Sequence, residues 1–258
     1  MSLLVSLVTK PLTGVAVFAG QVLRSAHRQD LPSHNNQDPS GDFGDPGLPP
    51  LRIALLGDSS ITAPGVAPLD DCWPRRLARH FKDRYFVQLR SAGVGGSKAR
   101  DVLADQLPRA LLIGADMALV SVGANDALRG TPVARFEAEL DEIITTLTAS
   151  VPMVGMSGVG DLGTIPRLPD LARALATVRS RSFDGTIRRI AARHPGVVKS
   201  RSRGDFWKPF EDHPEIVFAP DQFHASAAGH ALFAAAAIPV AEALLARRGG
   251  FSASPESL

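Results

Sequence analysis

The chain has 258 residues, 45% of them apolar, enough to bury one sizeable core and form one catalytic-sized domain with a tail. Lys plus Arg number 28 and Asp plus Glu 26, so the formal charge of +2 is too small to argue for a nucleic-acid partner or an anionic surface. A single cysteine, Cys72, excludes an intramolecular disulfide and any multi-cysteine zinc site, and it reads as a small buried apolar residue.

Residues 3–23, LLVSLVTKPLTGVAVFAGQVL, are apolar but interrupted by Lys10 and Pro11. The clean apolar positions number about a dozen, short of the ~20 that span a bilayer. The start lacks the positive charge of a signal peptide, and no small-residue cleavage site stands out. Residues 1–24 are therefore expected to form a membrane-surface or weakly anchoring helix, ahead of a cleaved signal, with a helix packed on the domain as the alternative. Residues 25–50, crowded with Pro, Gly, Asn, Asp and Ser, read as a flexible linker. Together they favour a membrane-associated or exported protein over a cytoplasmic one.

From residue 51 to 248 strand-like and helix-like patterns alternate. Short apolar runs bounded by turns are IALL at 53–56, YFVQL at 85–89, MALVSVG at 117–123, PMVGMSG at 152–158 and GVVKS at 196–200. Helical patterns fill 70–83, 98–113, 133–149 and 169–194, and a last one at 225–248 ends with Arg247 and Arg248 before Gly249 and a short tail, 249–258. The alternation predicts an α/β domain with a mostly parallel sheet and helices on both faces. Ligands of such sheets collect at the carboxyl ends of the strands.

Four polar or glycine-rich segments fall at that edge: Gly57-Asp58-Ser59-Ser60 after the first run, Ser91 to Ser97 after the second, Gly123-Ala124-Asn125-Asp126 after the third, and Asp221-Gln222-Phe223-His224 before the last helix. A serine nucleophile needs a base in reach, an acid to orient the base, and donors for the developing oxyanion. Ser59, His224, Asp221, and Gly96 with Asn125 supply those parts, and three-residue spacing lets one turn present Asp221 and His224 together. Ser59 could otherwise cap a helix, Asp58 reads as a turn holder, and Asn125-Asp126 could be an ordinary turn.

In order and approximate spacing these segments resemble the conserved blocks of the SGNH or GDSL-type hydrolases, a family of esterases, lipases, carbohydrate deacetylases and some acyltransferases. The resemblance covers residues 51–248. It implies a three-layer α/β/α sandwich on a flavodoxin-like sheet, with Ser59 as nucleophile, Asp221 and His224 completing a triad, and an oxyanion hole made by the Ser59 N–H, Gly96 and the Asn125 amide. The chain departs from the family at Ser60, where leucine is common, and at Ser91, where asparagine often opens the second block. The second departure leaves Gly93 and Gly95 as alternatives to Gly96.

Trp207, Phe210 and Phe218 are candidates for an acyl pocket, although such aromatics are more often core. His213 and His230 lack partners at metal-ligand spacing, and no metal or cofactor is expected. The Gly93–Gly96 run lacks the register of a dinucleotide loop, and Gly155–Val159 misses the last glycine of a GxSxG elbow. The resulting expectation is a serine carboxylesterase for short- to medium-chain acyl esters of a small-molecule, lipid or glycan, with O-acyl transfer or carbohydrate deacetylation by the same triad as alternatives. A non-catalytic binding module is disfavoured because every catalytic position is filled.

Overall fold

A computed structural model describes residues 30–251, so the expectations placed on residues 1–24 and 252–258 lie outside the described residues. Six strands form one sheet: β1 Gly41–Phe43, β2 Pro50–Gly57, β3 Phe86–Ser91, β4 Met117–Ser121, β5 Met153–Met156 and β6 Val197–Lys199. Their spatial order is β1-β3-β2-β4-β5-β6, parallel except for β1, which runs antiparallel to β3. The helices are α1 Ser59–Thr62, α2 Trp73–Phe81, α3 Ala99–Asp101, α4 Leu107–Leu111, α5 Ala124–Leu128, α6 Val133–Ser150, α7 Asp170–Arg193, α8 Lys208–Asp212, α9 Pro214–Val217 and α10 Ala227–Phe251.

Alternate residues of the central strands feed opposite cores, as a two-residue side-chain period requires. Leu56, Val120 and Met156 pack with Phe136 and Ile143 of α6 and Phe183 and Ile187 of α7. Ile53, Leu55 and Leu119 pack on the other face with Leu77 and Phe81 of α2 and Ala241 and Leu244 of α10. With both faces of the central strands covered, β2 from Ile53 to Leu56, β4 from Met117 to Val120 and β5 carry apolar residues or glycine, which is why they read as unbroken runs, whereas β3 carries Gln88 and Arg90. The result is the expected three-layer α/β/α sandwich. By length and composition Ala227–Arg248, with a hydropathy of 1.6, could cross a membrane; in the fold its Ala234, Ala241 and Leu244 are buried. Cys72 is fully buried.

Leaving β1 aside, the chain goes from β2 to β3 on one side and then to β4 on the other, the flavodoxin-like order. The carboxyl end of β2 is thus the point where crossovers diverge, and it opens a crevice that neither crossover closes. The helix expected over 98–113 is divided into α3, a π-helical turn at Val102–Gln106 and α4. The last helix continues beyond Gly249 to Phe251.

The segment expected to be a flexible linker is instead laid on the domain from residue 31 onward. Gly41 and Phe43 of β1 pair with Leu89 and Val87. Gln37 donates its backbone N–H to Thr62 O at 2.8 Å and its side-chain amide to Ala63 O at 2.7 Å and Val66 O at 3.0 Å. Thr62 Oγ1 donates to Asn36 Oδ1 at 2.7 Å, and Arg75 donates to the carbonyls of Pro39 and Ser40. The composition misleads here because the segment is held by backbone pairing and polar side chains, with little apolar burial of its own. At about 0.5–1.5 kcal/mol net per hydrogen bond, a chain starting at Leu51 should melt roughly 5 °C or more below one that keeps residues 30–50. Thermal unfolding of the two by circular dichroism checks this, and equal midpoints would show that the segment adds nothing.

Candidate active site

Strand β2 ends at Gly57 in a conformation, φ +152°, that a side chain would not tolerate: a Cβ there would lie 2.0 Å from Ser121 O. Asp58 follows as the N-cap of α1, its carboxylate accepting from Ser60 N at 2.9 Å. The nucleophile candidate Ser59 therefore occupies the first position of a one-turn helix at the crevice. Burial pushes the Asp58 carboxyl up from its ordinary value, against the opposing hydrogen bonds from Ser60.

The loop before α10 carries the candidate acid and base, Asp221 and His224. His224 Nδ1 lies 2.6 Å from Asp221 Oδ2, and Asp221 Oδ1 accepts from the N–H groups of Phe223 and His224, each at 3.0 Å. Gln222 sits at φ +58°, and its N–H donates to Ala219 O, so the turn is tight enough to bring residues three apart into contact. Asp221 is buried, which raises a carboxyl; the His224 side chain and the two N–H donors outweigh that and hold it below the ordinary aspartate range. It is an anion bonded to the imidazole at Nδ1, and His224 lines the cavity beside it.

Ser59, Gly96, Asn125 and His224 all line one cavity of about 360 Å³. The three glycines of the β3 loop are separated by their surroundings. A Cβ at Gly93 would press on Ile61 at 2.7 Å and one at Gly95 on Asn36 at 1.8 Å, whereas Gly96, at φ +83°, faces the cavity. Of the three, Gly96 is the one that lines the cavity. Its loop and the Asn125 helix are tied together: the buried Asp126 carboxylate accepts from Ala99 N at 2.9 Å, and Arg129 donates to Gly96 O at 3.2 Å. Burial raises the Asp126 carboxyl, and the Ala99 N–H counters it.

The pattern of GDSL-like lipases and acylhydrolases matches residues 55–232, more than half of the chain. The chain belongs to this family. It is similar to the GDSL-like esterase Rv1075c of Mycobacterium tuberculosis, 25% identical over 194 residues, covering 71% of this chain and 59% of the relative, so it spans less than two thirds of that protein's length. Among solved structures, LAE5, an alpha/beta hydrolase from the metagenome of Lake Arreo, superposes with a TM-score of 0.59 at 20% identity over 76% of this chain and 97% of that one. Axe2, an acetylxylan esterase from Geobacillus stearothermophilus, does so with a TM-score of 0.55 at 15% identity over 77% and 95%. At these identities the solved structures support the fold.

The aromatics expected at the acyl pocket of this GDSL-like chain are not at the Ser59 cavity. Phe210 and Phe218 are buried in the core, Trp207 stacks on Phe210 at 4.1 Å, and Phe210 stacks in turn on Phe233 at 5.6 Å. Large aromatic surfaces are better buried against one another than left on a cleft wall. Trp207 borders a separate cavity of about 160 Å³ between α10 and the ends of β4 and β5. The apolar wall of the Ser59 cavity is made by Leu128, Leu168, Ala172, Leu175, Ala176 and Phe223.

Two supporting residues escaped the sequence reading. Gln106, in the π-helical turn, accepts from Gly57 N at 2.8 Å and donates to Gly57 O at 2.9 Å and Ser97 Oγ at 3.0 Å, so one buried amide joins the end of β2 to the loop after β3. His230 of α10 accepts from Trp73 N at 3.2 Å, and Trp73 Nε1 donates to Ser60 O at 2.7 Å. A helix-interior Gln or His gives no sequence signal of this kind, because the partner is set by the fold.

Replacing Gln106 with Leu leaves the buried Gly57 N–H unpaired, while Gly57 O keeps Val94 N at 3.1 Å, and should cost about 1–3 kcal/mol for the one orphaned group. Urea unfolding measures it, and a loss under 1 kcal/mol would contradict the clamp. Burial pushes the His230 imidazole down from 6.5 to about 3, so below pH 6.5 the unfolded chain takes a proton that the folded one refuses. Stability should therefore fall as pH drops from 6.5 towards 3, and His230→Asn should show a shallower fall over that window. Parallel pH curves for the two proteins would place the proton uptake elsewhere.

Proposed function

We propose that the protein is a serine ester hydrolase that cleaves short- to medium-chain acyl esters through an acyl-enzyme. The reading is carried by one observation: the Asp221–His224 pair at 2.6 Å and the groups Ser59, Gly96 and Asn125 converge on one cavity. His224 takes the Ser59 proton as Oγ adds to the ester carbonyl, and Asp221 holds the imidazole in the tautomer that accepts at Nε2 and stabilises the cation that forms. The N–H groups of Ser59 and Gly96 and the Asn125 side-chain amide receive the oxyanion. The alkoxide leaves with the proton from His224, and water, deprotonated by the same imidazole, releases the acid.

Every group needed is a side chain or N–H of this chain, and these steps use no cofactor. The apolar wall of Leu128, Leu168 and Leu175 suits an acyl chain, and a cavity of about 360 Å³ suits short to medium length. An alcohol in place of water would turn the same steps into acyl transfer, and an acetylated sugar would make the protein a deacetylase. Acceptor-dependent products and acetate release separate these from simple hydrolysis.

A series of p-nitrophenyl esters from acetate to long acyl should show a maximum at one chain length in the wild type and essentially no turnover by Ser59→Ala. Asn125→Ala should lower kcat on the order of 10²-fold to 10³-fold, as the loss of one oxyanion donor does. Unchanged kcat in that variant would remove Asn125 from the mechanism, and turnover surviving in Ser59→Ala would remove the nucleophile.

A further inference from the structure

The charged side chains on the cavity wall are all of one sign. Arg129, Arg167 and Arg179 line it, and among the described residues that line it there is no Asp or Glu. The whole chain is close to balanced, 28 cations against 26 anions, so this is a local choice. Other arginines of the surface meet carboxylates: Arg75 on Asp70, Arg76 on Asp71, Arg90 on Asp42 and Arg193 on Glu137. Among the described residues, neither Arg129 nor Arg179 has a carboxylate within ion-pair distance.

The two differ in what they are tied to. Arg179 is half-buried, donates to the carbonyls of Ala127, Asp126 and Thr131, and lies over the Phe183 ring at 5.3 Å, so it braces the Asn125 helix. Arg129 is exposed and uses one of the five N–H donors of a guanidinium on Gly96 O. Its charge therefore stands beside the oxyanion loop with donors to spare. Leu128, Leu168 and Leu175 line the same cavity, and Leu171, Leu175 and Val178 extend an exposed apolar stripe along α7 at 48%, 40% and 61% exposure. A cation beside the reacting carbonyl and an apolar run leading away from it match an ester that is itself anionic and amphiphilic.

We propose that the cavity selects amphiphilic esters bearing an anionic group, a carboxylate or phosphate, near the scissile bond, with Arg129 as the residue that reads the charge. This rests on the reading of Ser59 as the nucleophile. The anion sits on either the acyl or the alcohol part of the ester, and two matched pairs of substrates distinguish them: mono-4-nitrophenyl glutarate against 4-nitrophenyl pentanoate, and 4-(hexanoyloxy)benzoate against 4-(hexanoyloxy)benzamide.

After correction for uncatalysed hydrolysis, kcat/KM should favour the anionic member of at least one pair by about tenfold or more at low salt, as one charge-assisted contact provides. The preference should shrink as salt is added. Arg129→Gln should bring the ratio towards one mainly through KM, and Arg129→Lys should restore part of it. Equal or better use of both neutral members by the wild type, or a ratio that Arg129→Gln leaves unchanged, overturns the proposal. If the folded wild type turns over none of the four, the nucleophile reading fails by itself. Charge selection is then judged by calorimetric binding of the same four esters to the Ser59→Ala protein, where tighter binding of an anion that Arg129→Gln abolishes supports it and equal binding refutes it.

Discussion

The site depends on how the end of β2 is pinned. Gly57 has both its N–H and its C=O bonded to the Gln106 side chain, Asp58 N donates to Ser121 O, and Val94 N donates to Gly57 O. A single peptide is thereby fixed at once to the end of β4, to the loop after β3 and to the helical turn that returns from it. Only glycine fits, because Ser121 O occupies the space of a Cβ. The diverging crossovers on either side of β2 leave the crevice open above this point, so Ser59, two residues on, is both rigid and exposed to a ligand.

Around that anchor the donors and the base are placed by buried polar groups. Asp126 ties the Asn125 helix to Ala99, Arg179 ties the same helix to α7, and His230 reaches from α10 through Trp73 to Ser60 O. Ser60 Oγ and Ser157 Oγ also meet Ser121 Oγ, at 2.7 and 2.8 Å, so hydroxyls join the ends of three neighbouring parallel elements. Each of these groups would be costly to bury unpaired, so the polar network fixes relative positions that apolar packing alone leaves adjustable. The leucine common at the position of Ser60 could not take part in this chain of hydroxyls.

Much of the frame was legible in the sequence. The central strands β2, β4 and β5 are largely buried on both faces and so appear as apolar runs, and the three-residue spacing of Asp221 and His224 forecast their contact. What was not legible shares one cause: the information lies in partners brought together from far along the chain. Strand β1 is Gly-Asp-Phe inside a Pro- and Gly-rich stretch, and only the unpaired edge of β3 makes it a strand. Trp207, Phe210 and Phe218 carry the same aromatic signal whether they line a cleft or fill a core, and here the stack with Phe233 decides. Arg129 is one of many arginines until the fold places it on the cavity, bonded to Gly96 O and, among the described residues, with no carboxylate at ion-pair distance.

The segment before β2 belongs to the site as much as to the sheet. Asn36 fills the space above Gly95, His34 lies against Gly65, and Gln37 holds the carbonyls of Thr62, Ala63 and Val66 that end α1. These contacts brace, from outside, the loop that carries Gly96 and the turn that carries Ser59. Residues 34–37 lie beyond the stretch that matches the family pattern, residues 55–232. The candidate site residues thus fall inside the matched stretch, while part of what holds them in place comes from residues before it. It follows that the geometry of the loop that carries Gly96 is set by contacts on both of its sides: Arg129 and Asp126 hold it towards the cavity, and Asn36 holds it towards the segment leading into β1.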